Sequence, residues 1–259
     1  AQVQELRDAV TAFRVSGKPA IAFAESYDTR GYYLASVFDE LWLQPSGDVA
    51  LTGLLSIATF TKNLLAKLGI EPRMDHRAEY KTALNMLTED HFTAAHRESV
   101  ESILGSIYDQ LVTGIATSRG IEPAKVQALI DAGPHSSDEA LRADLVDALG
   151  YVDETEAMLE KRLGHKVEAL PLGRYRERRS GPFDDGQVIA LIYASGTIVS
   201  GDGNGTPFWG ETRVGADSLR RALRQAIEDD DVKAILLRVD SPGGSYVASD
   251  AIWRETLRA

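Results

Sequence analysis

Apolar positions along the chain follow two rhythms. Short apolar, partly β-branched runs bounded by glycine or proline read as strands, and stretches with apolar residues three and four apart read as helices. The chain opens on a helix with Val3, Leu6, Val10 and Phe13 on one side. A strand over 18–25 follows the Gly17 stop. Residues 29–36 turn into a helix, 41–43 form a short strand ended by Pro45 and Gly47, 59–68 form a helix closed by Gly69, and 71–77 read as another strand. A long packing helix spans 93–117, with Val100, Ile103, Leu104, Ile107, Tyr108, Leu111 and Ile115 on one face. Shorter helices are predicted at 123–130, from a capping Ser137, and at 153–163, with a strand over 166–170. Further on, 188–194 reads as a buried strand, 201–205 as a glycine-rich loop and 216–227 as a helix. A second buried strand over 234–239 runs through Ser241-Pro242-Gly243-Gly244-Ser245 into a helix over 246–257. Strands alternating with helices predict an α/β fold built from βαβ units.

The rhythm breaks between 173 and 186. That stretch holds Gly173, the run Arg174-Tyr175-Arg176-Glu177-Arg178-Arg179, and Gly181-Pro182, and reads as a solvated linker. It divides the chain into a first unit over 1–172 and a second over 187–259.

Composition narrows the function classes. With 259 residues, 44% of them hydrophobic, the chain can build a core. A net charge of −11 argues against nucleic-acid binding, which needs basic surface. No run of about eighteen apolar residues is present to span a membrane. The absence of cysteine suits an oxidising compartment and leaves no thiol nucleophile. The opening Ala1-Gln2-Val3-Gln4-Glu5 lacks signal-peptide character, as expected of a chain cut from something longer.

Two places could carry chemistry. The turn around Gly243 and Gly244 joins a strand to a helix N-terminus, where free backbone N–H groups can hold an anion or the oxyanion of an acyl-transfer intermediate. The same residues also fit a tight βα turn with Ser245 as helix N-cap. Lys81 lies between a strand and the long helix; a lysine drawn out of water there would be a usable base, and a lysine left in water a mere surface charge. His76, His91, His96, His135 and His165 show no metal-ligand spacing, and no Walker or G-x-G-x-x-G loop occurs, so no metal, nucleotide or other cofactor is expected.

Taken together, several segments resemble the signal peptide peptidase A family, also called protease IV, of the long two-repeat type. In the second unit, 234–248 is similar to that family's strand, S-P-G-G turn and helix. In the first unit the matching pieces are Ser16-Gly17-Lys18-Pro19, Gly31-Tyr32-Tyr33-Leu34-Ala35-Ser36, Thr52-Gly53, Tyr80-Lys81 and Leu145-Val146-Asp147-Ala148-Leu149-Gly150. The resemblance implies a Clp/crotonase-like fold used twice, each repeat only partly present here, with a helical extension on the first. It implies peptide hydrolysis by a Ser–Lys dyad, with Lys81 as base and Gly243, Gly244 and Ser245 around the oxyanion. It further implies signal peptides as substrates, a homo-oligomer, and a bacterial envelope enzyme whose soluble part faces away from the cytoplasm and whose membrane contacts lie in other segments.

The family's nucleophile sits in a later M-A-A-S-G-G-Y segment, which has no counterpart in the second unit. In the first unit Thr29 falls at the serine's position and Arg30 at the following glycine's. Thr29 is therefore expected to be a turn or helix-capping residue, and residues 1–259 to hold base and turn without the nucleophile. Two other readings stay open: a crotonase-type acyl-CoA enzyme, and a non-catalytic oligomerisation domain.

Overall fold

A computed structural model describes residues 2–167, 169–179, 188–203 and 212–259. Contacts divide the chain into two compact units, Ala1–Glu168 and Ala169–Ala259. Both are α/β.

Unit 1 opens with α1 (Gln2–Arg14), β1 (Ile21–Ala24), β2 (Tyr27–Asp28), α2 (Thr29–Ala35), β3 (Glu40–Leu43) and β4 (Asp48–Ala50). After α3 (Lys62–Lys67) and α4 (Asn85–Thr88) come the long α5 (Ala94–Arg119), α6 (Pro123–Ala132), β5 (His135–Ser136), α7 (Ser137–Arg142), β6 (Ala148–Leu149) and α8 (Val152–Leu163). One sheet has the order β1-β3-β6 and is parallel throughout. The other has the order β2-β4-β5, parallel between β2 and β4 and antiparallel between β4 and β5. Tyr32, Leu41, Leu43, Val49, Leu51, Ile115 and Leu145 form the buried centre.

The helix α2 is the hub. Asp28 caps it by accepting from the Gly31 N–H at 2.6 Å. Tyr32 donates its hydroxyl to the Leu145 carbonyl at 2.9 Å. Gly114 lets α5 approach Tyr33, since a Cβ there would lie 2.5 Å from the ring. Arg7 ties three helices together. It donates to the Tyr33 carbonyl and to Ser36 Oγ on α2, and to the Gly114 carbonyl and Ser118 Oγ on α5. Its guanidinium also lies 4.0 Å from the Tyr33 ring centroid. The inner face of α1 therefore holds a buried arginine, and Leu6 and Phe13, expected inside, are exposed. Four good acceptors and a π-face outweigh the cost of desolvating one guanidinium.

Other expectations change in detail. Residues 71–77 and the described part of 166–170 form no strand; isolated apolar runs without a pairing partner stay irregular. The cap of α7 is Ser136, not Ser137, through a capping box with Glu139. The C-terminal half of α5 packs inward through Leu111, Val112, Ile115 and Ala116 and its first turn through His96, while Ile103 and Ile107 between them are exposed.

Unit 2 begins with α9 (Leu172–Arg179), which covers the start of the basic stretch. Gly181-Pro182, Gln187, Asn204 and Gly205 lie outside the described residues. Then come β7 (Val188–Ser195), β8 (Thr197–Val199), β9 (Arg213–Gly215), α10 (Ala216–Glu228), β10 (Val232–Asp240) and α11 (Tyr246–Thr256). The strands pair in parallel, β7 with β10 and β8 with β9. The core is Ile192, Ala194, Leu219, Leu223, Ala248 and Ile252. The strands expected to be wholly buried are covered on one face only: Ile189, Leu191, Tyr193 and Leu236 are exposed. Among the described residues, α10 and α11 supply the cover on that single face.

Candidate active site

Gly243, Gly244 and Ser245 come together on the turn between β10 and α11. Gly243 has φ +110° and Gly244 φ +153°, angles that side chains rarely adopt. The turn is fastened to β8: Ile198 N–H donates to the Gly243 carbonyl, and Ser245 N–H donates to the Ile198 carbonyl, each at 2.9 Å. This is a parallel bridge between Ile198 and Gly244. It fits no side chain, because a Cβ on Gly244 would lie 2.1 Å from the Ile198 carbonyl oxygen.

The bridge sorts the candidate donors. Gly243 N–H donates to Ser241 Oγ at 3.1 Å. Ser245 N–H is bonded to Ile198, and Ser245 Oγ accepts from Ala248 N–H at 3.3 Å as the N-cap of α11. Ser245, expected among the oxyanion donors, has both its N–H and its hydroxyl engaged with backbone groups. Gly244 N–H alone of the three has no partner among the described residues. It points away from β8, at the positive end of an eleven-residue helix.

Lys81 lies in unit 1, at the start of a one-turn 3-10 helix over 82–84. Two contacts present it. Lys81 N–H donates to the Ala78 carbonyl at 3.3 Å, closing a turn in which Ala78 takes φ +61°. The preceding Tyr80 donates its hydroxyl to Glu98 on α5 at 2.9 Å, and this bond pushes the phenol pKa up. Beside it is a cleft of about 440 Å³ whose lining includes His76, Glu79, Tyr80, Glu89 and Glu98. Lys81 itself is exposed, so unit 1 does not supply the desolvation expected of a base. The Ala78 turn and the Tyr80 anchor escaped sequence reasoning; the tyrosine before the lysine was their one visible signal.

Thr29 is the first residue of α2. Its hydroxyl lies 3.1 Å from the carbonyls of both Ala50 and Thr52, and it accepts from Thr52 N–H at 3.2 Å. The capping role expected of it belongs to Asp28; Thr29 ties the helix start to the end of β4. Among the described residues the hydroxyl's hydrogen-bond partners are carbonyls and an amide, and none is a base. Asp147 explains another matched segment: it accepts from Leu41 N–H at 2.7 Å and from both Arg119 terminal nitrogens, at 2.8 and 2.9 Å. Gly150 of the same segment lies against Trp42, leaving a Cβ only 2.7 Å from the ring. Among the described residues no three His, Asp or Glu side chains gather as metal ligands, and no helix is long and apolar enough to cross a membrane.

The model of peptidase family S49 matches residues 12–166. The chain belongs to peptidase family S49. That match lies within unit 1, but similarity to individual S49-type proteins runs through both units. The chain is 36% identical to "Protease 4" of Salmonella typhi over 97% of its own length and 41% of the relative's. It is 29% identical to "Protease 4" of Haemophilus influenzae, over 96% and 42%. It is 30% identical to "Serine protease SPPA, chloroplastic" of Arabidopsis thaliana, over 98% and 38%. The chain thus spans about two fifths of the length of these relatives.

Proposed function

We propose that this chain is the portion of an S49 serine peptidase that supplies the general base and one oxyanion donor. Gly244 N–H, without a partner among the described residues and held by the β8 bridge, is the observation that carries the reading. In the reaction, a serine outside residues 1–259 attacks the scissile carbonyl, Lys81 takes its proton, and Gly244 N–H stabilises the negative oxygen of the tetrahedral intermediate. The proton then passes from Lys81 to the leaving amine, and water releases the acyl group. Lys81 is exposed in unit 1, so its desolvation comes from the rest of the assembled site or from bound substrate.

The finer reading treats each unit as part of a Clp/crotonase-like repeat, one within 1–172 and the other within 187–259, and the enzyme as a homo-oligomer. The substrates are cleaved signal peptides, and the enzyme works at the cell envelope with this portion on the extracytoplasmic side. The names of the relatives support proteolysis over acyl-CoA chemistry. The test is Lys81→Ala in the complete protein, with a quenched signal-peptide substrate. Loss of a general base lowers turnover by about 10² to 10⁴. Turnover close to that of the parent protein would remove Lys81 from the mechanism.

A further inference from the structure

Residues 53–60 of unit 1 lie outside helix and strand. Among the described residues not one of their backbone N–H or C=O groups has a hydrogen-bond partner. Eight consecutive residues in this state leave a strip of free donors and acceptors. Burial alternates from Ile57 to Phe60: Ala58 and Phe60 are partly buried and Ile57 and Thr59 exposed, while before them Leu54 is partly buried and Leu55 and Ser56 are exposed, with Leu55 and Ile57 at 81% and 80%. An alternation of period two is that of a strand, and a strand with open backbone and apolar outward residues is a template for pairing.

A pocket of about 620 Å³ adjoins the strip, walled by Leu54, Leu104, Tyr108 and Ile130 and edged by Asp131. Gly105, in the interior of α5, also lines it. A glycine there weakens the helix relative to alanine. Gly105 has no unusual backbone angle to justify it, and a Cβ would meet nothing within 4 Å. The packing of unit 1 does not require this glycine; what it does is keep the pocket open.

We infer that unit 1 carries a second, non-catalytic peptide site. An extended apolar peptide bearing a basic residue pairs along 53–60, seats one side chain over Gly105 and sets its positive charge near Asp131. Backbone pairing gives the affinity and the pocket gives the choice of side chain, as in other strand-addition modes. Charge favours this occupant over a second copy of the chain: at −11, two copies repel, while a basic peptide is attracted. The site stands on unit 1 geometry and is independent of the role given to Lys81.

The experiment is fluorescence anisotropy of the 259-residue chain with a short labelled peptide of two lysines followed by alternating leucine and alanine. Saturable binding is expected. Gly105→Met should weaken it at least about tenfold by filling the pocket, and Leu55→Asp with Ile57→Asp should do the same, a loss near 1.4 kcal/mol. Both changes sit in open positions, and circular dichroism checks that each variant folds. Asp131→Asn should weaken the lysine peptide and leave its glutamine analogue unchanged. Absence of binding, or equal binding by parent and Gly105→Met, overturns the proposal. So does a dimer in analytical ultracentrifugation that the Leu55/Ile57 variant dissolves, which would make a second copy the occupant. Hydrolysis is not read here, so failure of this site and failure of the peptidase reading are separate results.

Discussion

The Ser245 N–H donates to the carbonyl of Ile198 at 2.9 Å, and the Ile198 N–H donates to the carbonyl of Gly243 at the same distance. A three-residue strand thereby holds the turn that leads into α11. This pairing turns the Gly244 N–H outward and engages the Ser245 N–H with the Ile198 carbonyl.

Substitutions at the two glycines should therefore differ. Gly244→Ala puts a Cβ 2.1 Å from a backbone oxygen, so it must break the bridge. About 1–3 kcal/mol of local stability should be lost, with faster hydrogen exchange at 197–199 and 241–245. Gly243→Ala meets nothing within 4 Å and costs only the strain of φ +110°, about 1–2 kcal/mol, with the bridge retained. Equal exchange in both variants would mean that the β8 contact does not hold the turn.

Glu255 sets the pH response of unit 2. It is 2% exposed, and its carboxylate meets Arg224 at 2.5 Å, Arg258 at 3.2 Å and Arg220 at 3.5 Å. The hydrogen bond from Arg224, above all, pulls its pKa from 4.5 down to about 2 against the opposing pull of burial. A folded-state pKa below the unfolded one gives stability that is fully present above pH 4.5 and drains away as pH falls from there towards 2. Hydrogen exchange across 216–228 and 246–256, followed from pH 6 downwards at matched intrinsic rates, should show α10 and α11 loosening in that window. Glu255→Gln should start less protected and show a much flatter response. An unchanged response in the variant would assign the acid sensitivity elsewhere.

Thr29 should prove structural. Thr29→Val removes the hydroxyl's bonds to the Ala50 and Thr52 carbonyls, while Thr52 N–H keeps its 3.0 Å bond to the Ala50 carbonyl, and should cost about 1 kcal/mol in chemical denaturation. Thr29→Ser should keep most of that stability. Incubation of this chain with a fluorophosphonate should leave Thr29 unlabelled, because no base adjoins its hydroxyl. A mass adduct on the peptide containing Thr29 would establish a working nucleophile in unit 1.

Sequence patterns served best where one local rule dominated. Proline at the start of α6, a left-handed Gly120 after α5, and the glycine turn before α11 mark boundaries that the structure keeps within a few residues. Strands of two or three residues, such as β2, β5 and β6, were invisible because so short a segment has no period. The face of α1 was misjudged for a different reason. Burial of Arg7 depends on carbonyls and hydroxyls supplied by Tyr33, Ser36, Gly114 and Ser118, none of them near it in the chain.

By itself the sequence determined the alternation of strands and helices, the family to which the chain belongs, and the two segments worth inspecting, Tyr80-Lys81 and Ser241 to Ser245. Those are properties of residue order, set by local backbone preference and by motif spacing. The tertiary structure alone decided which N–H on the turn is free. Hydrogen-bond donors are shared out between segments distant in the chain, and only the pairing of Ile198 with Gly244 shows that Ser245 is already engaged. It also decided that Lys81 stands in water in unit 1 and that Thr29 is tied to the end of β4. Exposure and long-range pairing depend on how the whole chain closes on itself, and no window of sequence contains that information.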